Sequence, residues 1–90
     1  MSENQMQMPR YKCHKEVWAL KIKEIVDNIS GDTMIYPVEK SYAEFKVDKE
    51  YMQKHKPVVG GYYVVYDDGY KSFSPAKAFE EGYSIIKKDI

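Results

Sequence analysis

Tyr63, Tyr70, Ser72 and Ser74 are the side chains of this 90-residue sequence whose types and spacing best suit a binding site. They set flat aromatic surfaces beside hydroxyl donors just ahead of Ser74-Pro75, which reads as a helix N-cap followed by proline at the first helical position. Backbone N–H groups at a helix start favour anions, and a base stacked on an aromatic ring gains about 1–3 kcal/mol. The chemistry is therefore that of a nucleotide-like small ligand, with Lys15 and Lys71 adding charge-assisted contacts. The same face also fits packing against a first hairpin earlier in the chain or a second subunit, in which case its rings are structural.

The other reactive residues point elsewhere. Cys13-His14 and His55 lack the paired spacing of a four-ligand zinc site, and neighbours on a strand face opposite ways, so Cys13 and His14 make a poor nucleophile–base pair. Asp67-Asp68 and Glu80-Glu81 read as turn chemistry and a solvated helix face rather than as two carboxylates in contrasting environments. Gly60-Gly61 lacks the further spacing and lysine of a phosphate-cradling loop. No catalytic residue, metal site or cofactor is expected, and the chain reads as non-enzymatic.

Elements must position that face, and the composition limits them. Fourteen basic residues balance fourteen acidic ones, so no net field draws the chain to duplex nucleic acid or to an anionic membrane. A single cysteine excludes an internal disulfide and suits a reducing compartment. The polar, Met-containing start has neither the basic head nor the apolar stretch of a secretory signal, so a cytoplasmic location is expected. A domain of this size buries only about 60–65% of its unfolded surface, and nine Tyr, three Phe and one Trp supply large apolar areas for a compact core.

Residues 1–9 read as a flexible leader and residues 10–90 as a single α+β domain. Residues 16–29 carry two competing patterns. Trp18, Leu20 and Ile22 alternate as in a strand, whereas Trp18, Ile22, Ile25, Val26 and Ile29 fit a helical stripe. The β-branched content and the Ser30-Gly31-Asp32 turn favour a strand returning through Thr33 to Tyr36. Pro37 ends that strand or sets it at an edge, and Tyr42 to Val47 alternates as a third strand. Asp48 caps a helix of two turns at most, which Pro57 stops near His55 or Lys56.

Gly60-Gly61 redirects the chain into a strand from Tyr62 to Tyr66, and Asp68-Gly69 predicts a two-residue hairpin turn. That turn pairs Tyr66 with Lys71 and Val64 with Phe73. One face would then hold Tyr62, Val64, Tyr66 and Phe73, and the other Tyr63, Val65, Tyr70, Ser72 and Ser74. A last helix runs from Pro75 to about Gly82 as a left-handed cap, with Phe79 and Tyr83 at i, i+4 spacing and Ile85-Ile86 packing behind it. The expected fold is α+β: two β-hairpins in one small, mainly antiparallel sheet, with both short helices on one face. The expected core is Trp18, Leu20, Ile22, Ile35, Phe45, Val47, Val64, Tyr66, Phe73 and Phe79.

The run Gly61-Tyr-Tyr-Val-Val-Tyr-Asp-Asp-Gly-Tyr-Lys-Ser-Phe-Ser-Pro75, followed by Phe79-Glu80-Glu81-Gly82-Tyr83, resembles the C-terminal signature GYxVxYxDGYxS[FW]SPxxxFExxY of small phage and prophage accessory proteins. Tyr11 to Ile22 is similar to the start of short phage reading frames of the same type. The resemblance implies a phage origin and brings no catalytic set to carry over. By analogy it implies an accessory factor of host takeover or anti-defence, one that sequesters a nucleotide-like molecule. The alternative is a module that binds and inhibits or redirects a host protein through an aromatic patch. A homo-oligomer would close a pocket that one small domain cannot form alone.

Overall fold

The computed structural model describes residues 8–9 and 16–85. Most of the expected leader, together with Cys13, His14, Lys15 and Ile86, lies outside the described residues. The elements in order are β1 (Trp18–Asp27), β2 (Thr33–Pro37), β3 (Phe45–Val47), α1 (Lys49–His55), β4 (Tyr62–Val65), β5 (Lys71–Ser74) and α2 (Ala76–Gly82). They form an α+β domain with one five-stranded antiparallel sheet in the order β3-β2-β1-β4-β5. A five-stranded antiparallel sheet with this strand order, and a helix between β3 and β4, has the connectivity of an open OB-type barrel.

β1 accounts for both patterns in its sequence. Its first half pairs with β4, Leu20 opposite Tyr63, and its second half with β2, Ile25 opposite Ile35. Between Ile22 and Glu24 the register slips by one residue. Such a bulge flips the alternation, so inward positions run 20, 22, then 25 and 27. The spacing 18, 22, 25 that imitates a helix is a strand with one extra residue.

Both hairpins turn in the same way. Asn28 N–H donates to the Asp32 carbonyl at 2.8 Å and Gly31 N–H to the Asn28 carbonyl at 3.1 Å; Tyr66 donates to Tyr70 at 2.9 Å and Gly69 to Tyr66 at 2.8 Å. Gly31 and Gly69 sit at φ 99° and 90°. This is a three-residue loop ending on a left-handed glycine. At the second hairpin it corrects the expected two-residue turn, because Asp68-Gly69 supplies the last two positions of a longer loop.

The register therefore moves by one. Tyr63 lies opposite Phe73, Val64 opposite Ser72 and Val65 opposite Lys71. Tyr63, Val65, Lys71 and Phe73 share the inner face; Tyr62, Val64, Ser72 and Ser74 share the outer one.

The core is Ile22, Ile35, Val47, Tyr51 and Tyr63, with Ile25, Phe45, Met52, Val65 and Phe73 packed against it. Val64 is buried as expected, and Leu20, Tyr66 and Phe79 are half-buried. Trp18 corrects the expected core: at the open start of β1 it is 66% exposed. Pro37 closes β2 as expected and is buried.

α1 forms where Asp48 caps it, the carboxylate accepting from Tyr51 N–H at 2.8 Å, and it ends on Lys56 in the left-handed region just before Pro57. Asp48→Ala should cost about 1 kcal/mol, a fall of roughly 4–8 °C in Tm in a thermal melt.

α2 departs from expectation in three respects. Pro75, not Ser74, holds the cap position; Ser74 remains in β5, with its hydroxyl 3.4 Å from the Pro75 carbonyl. Gly82 stays helical and Tyr83 is the extended C-cap, so the left-handed glycine is not used, while Ile85 is exposed. The helices also lie on opposite faces of β4: Tyr51 of α1 meets the Tyr63 ring, whereas Phe79 of α2 stacks on Tyr62.

Candidate functional site

Two ring systems run outward from β4, one from each face. On the inner side Phe45 meets Tyr63 at 4.5 Å between centroids, Tyr63 meets Tyr51 at 5.6 Å, and Tyr51 meets His55 at 4.8 Å. His55 then touches the edge of Tyr70 at 5.9 Å, and Tyr70 stacks on Tyr66 at 5.8 Å. The Lys54 ammonium sits 5.0 Å from the Tyr70 ring centre, and its contact with the Tyr70 hydroxyl raises the Lys54 pKa. The series joins the barrel interior to the tip of the β4–β5 hairpin.

On the outer side Tyr62, Phe79 and Tyr83 stack in sequence at 4.1 and 4.5 Å, as the i, i+4 spacing of Phe79 and Tyr83 allows. Glu80 fastens this stack, accepting from the Lys21 ammonium at 2.9 Å and the Tyr62 hydroxyl at 2.8 Å. Those two donors hold the Glu80 carboxyl below its ordinary value, Lys21 contributing most.

Between the two ends of the sheet lies an open cleft of about 280 Å³ lined by Asp32, Lys46, Val47, Asp48, Tyr51 and Lys71. The Tyr51 hydroxyl donates to the Ser72 carbonyl at 2.7 Å and ties α1 to β5. Lys46 reaches Asp32 at 3.8 Å.

Burial, and secondarily the neighbouring Tyr63, pushes the Tyr51 phenol well above its usual value of 10.0; burial raises Tyr63 as well. Both rings stay neutral in the fold. Their contribution is intact below the unfolded value near 10 and is lost as pH rises toward the raised folded values. In an alkaline titration followed by tyrosinate absorbance and circular dichroism, Tyr51 and Tyr63 should ionise only as the fold is lost. Ionisation of every tyrosine before any loss of ellipticity would contradict this.

The residues expected to form the ligand face do not converge. Tyr63 is buried in the core; Lys71 is exposed on the same inner face and lines the cleft. Ser72 and Ser74 are half-buried on the outer face, and Tyr70 is 42% exposed at the hairpin tip. Lys15 lies outside the described residues.

Sequence reasoning passed over Lys46 and Tyr51, and weighed His55 only as a metal ligand. The i, i+4 spacing of Tyr51 and His55 behind the Asp48 cap was the available signal for the last two. Among the described residues no three His, Cys, Asp or Glu side chains gather as a metal set, and no helix is long and apolar enough to cross a membrane.

Neither a protein-family model nor a curated protein matches the chain. A solved structure does. The NMR solution structure of the monomeric form of the phage L decoration protein superposes with a TM-score of 0.62 at 28% sequence identity, over 78% of this chain. The chain spans 52% of the length of that protein.

Proposed function

We propose that this chain is a non-enzymatic phage accessory protein that works by attaching to a protein surface, the outside of a phage capsid. The observation that carries this reading is the shared fold with a phage decoration protein over 78% of the chain at 28% identity. A phage origin also agrees with the C-terminal signature from Gly61 to Tyr83. The exposed side chains suit such a role: Trp18, Tyr42, Val58 and Val59 are each more than half exposed, and aromatic anchors carry much of the energy in protein contacts.

The test is co-sedimentation of the purified chain with capsid shells of the phage that encodes it. Saturable binding is expected, and shells that pellet without the chain would sink the capsid reading. A parallel thermal-shift screen against cyclic and linear nucleotides addresses sequestration of a small ligand. A ligand at 100 times its Kd should add about 2.7 kcal/mol, several degrees in so small a domain. No rise is expected, because the β4–β5 register sets Tyr63 and Lys71 on the face opposite Ser72 and Ser74. If shells and nucleotides both fail, a host protein in the infected cytoplasm becomes the partner to seek.

A further inference from the structure

The strands at the two ends of the sheet, β3 and β5, frame the same cleft, and the hydrogen-bond alternation shows which backbone groups they turn toward it. In an antiparallel ladder only every second residue bonds to a given neighbour. The Tyr66–Tyr70 bond fixes the phase of the β4–β5 pair, so Ser72 and Ser74 bond to β4 while Lys71 and Phe73 turn their N–H and C=O groups away from it. The Asn28–Asp32 bond fixes the phase of β1–β2 in the same way. Thr33 and Ile35 then bond to Val47 and Phe45, and Lys46 points its backbone groups away from β2. The cleft therefore lies between Lys46 on one edge and Lys71 on the other, with Tyr51 in its lining.

Antiparallel pairing throughout makes β3 and β5 run in the same direction. A strand entering the gap in the opposite direction would be antiparallel to both edges and would close the barrel. We infer that the β3–β5 seam is a docking slot for an extended peptide segment of a partner protein, added as a sixth strand with an acidic side chain beside Lys71. The inference rests on the reading of the chain as a binder of protein surfaces, and it specifies how the contact is made.

Four features favour a strand of this charge over other occupants. The cleft, about 280 Å³, falls just under the 300–1,000 Å³ usual for small-molecule pockets. The four residues of β5 offer about 13 Å of edge, enough for a short strand. Lysines on strand edges oppose pairing with a second copy, which would bring like charges together. Lys46 is matched by Asp32, whereas Lys71 has no ion pair among the described residues, so an acidic group is the complement it lacks.

The experiment selects a random heptapeptide library against the immobilised full chain and then measures amide hydrogen exchange with the strongest peptide bound. Enriched sequences should carry Asp or Glu among β-branched and aromatic residues, with no central proline. The amides of Lys46, Lys71 and Phe73 should exchange at least tenfold more slowly in the complex.

Lys71→Pro removes an edge donor that makes no ladder bond, so it should weaken the peptide at least tenfold. If that variant does not fold, methylating alternate amides of the peptide should produce the same loss. Failure to enrich any sequence, or binding that leaves the three amides unprotected, overturns the slot. Capsid binding that survives in Lys71→Pro while no peptide is selected removes the slot and leaves the capsid reading standing. Peptide binding at the seam without capsid binding does the reverse.

Discussion

Ile35→Ala is expected to lower the stability of this domain by about 2–5 kcal/mol, the range for emptying a filled core position. Ile35 is fully buried at 0% exposure on the central part of β2, opposite Ile25 on one side and Phe45 on the other. Neither neighbour can collapse into the space without breaking its own strand pairing. A domain of this length has a total stability on the order of 5–13 kcal/mol, so the variant should melt at least about 10 °C lower. Ile35→Val removes one methyl group and should cost only about 0.5–1.5 kcal/mol. Urea unfolding of both variants checks the ratio, and equal losses would mean that the site relaxes freely.

The second large effect is expected at Gly61. A Cβ built there would stand 2.4 Å from the Cε1 and Cζ atoms of the Phe73 ring and 3.0 Å from the Ser74 carbonyl oxygen. Gly61→Ala should cost about 1–3 kcal/mol as overpacking, and Phe73→Leu in the same chain should recover part of that loss. Gly60 next to it has open space around a Cβ but a φ of 92°. Gly60→Ala should also destabilise, through backbone strain, and Phe73→Leu should not relieve it. Thermal melts of the two double-substitution cycles distinguish steric from conformational glycine; equal coupling in both would refute the distinction.

The elements themselves were legible because their signals are local. Asp48 and Pro57 bracket α1, and Ser30-Gly31-Asp32 marks the first turn, since a cap, a missing donor and a left-handed glycine each act within a few residues. The faces were not legible. Asp68-Gly69 fits a two-residue turn and the end of a three-residue one equally well, and the choice between them moves every side chain of β5 to the other face. The bulge after Ile22 is hidden for the same reason, because one extra residue turns alternation into a helix-like spacing.

The candidate site inherited that error. Tyr63 left the ligand face for the core once Phe73 was placed opposite it, and Lys71 became a lining residue of a seam that depends on strands far apart in sequence. Lys46 and Tyr51 could enter the site only through tertiary packing, since β5 follows both much later in the chain.

The divided pairing of β1 also sets the order in which the chain can assemble. Its second half meets β2 across a short turn, with Asp27 opposite Thr33, and such hairpins close within about 1–10 μs. Its first half must wait for β4, since Lys21 pairs with Tyr62 forty-one positions later, and the entropy of closing so long a loop has to be met before the contact gives anything back. Until then the backbone from Trp18 to Lys21 is an unsheathed edge on a half-built sheet. That interval is when a newly made chain is most open to pairing with the wrong strand, and crowding many copies together during synthesis should lower the yield of folded protein through this stretch.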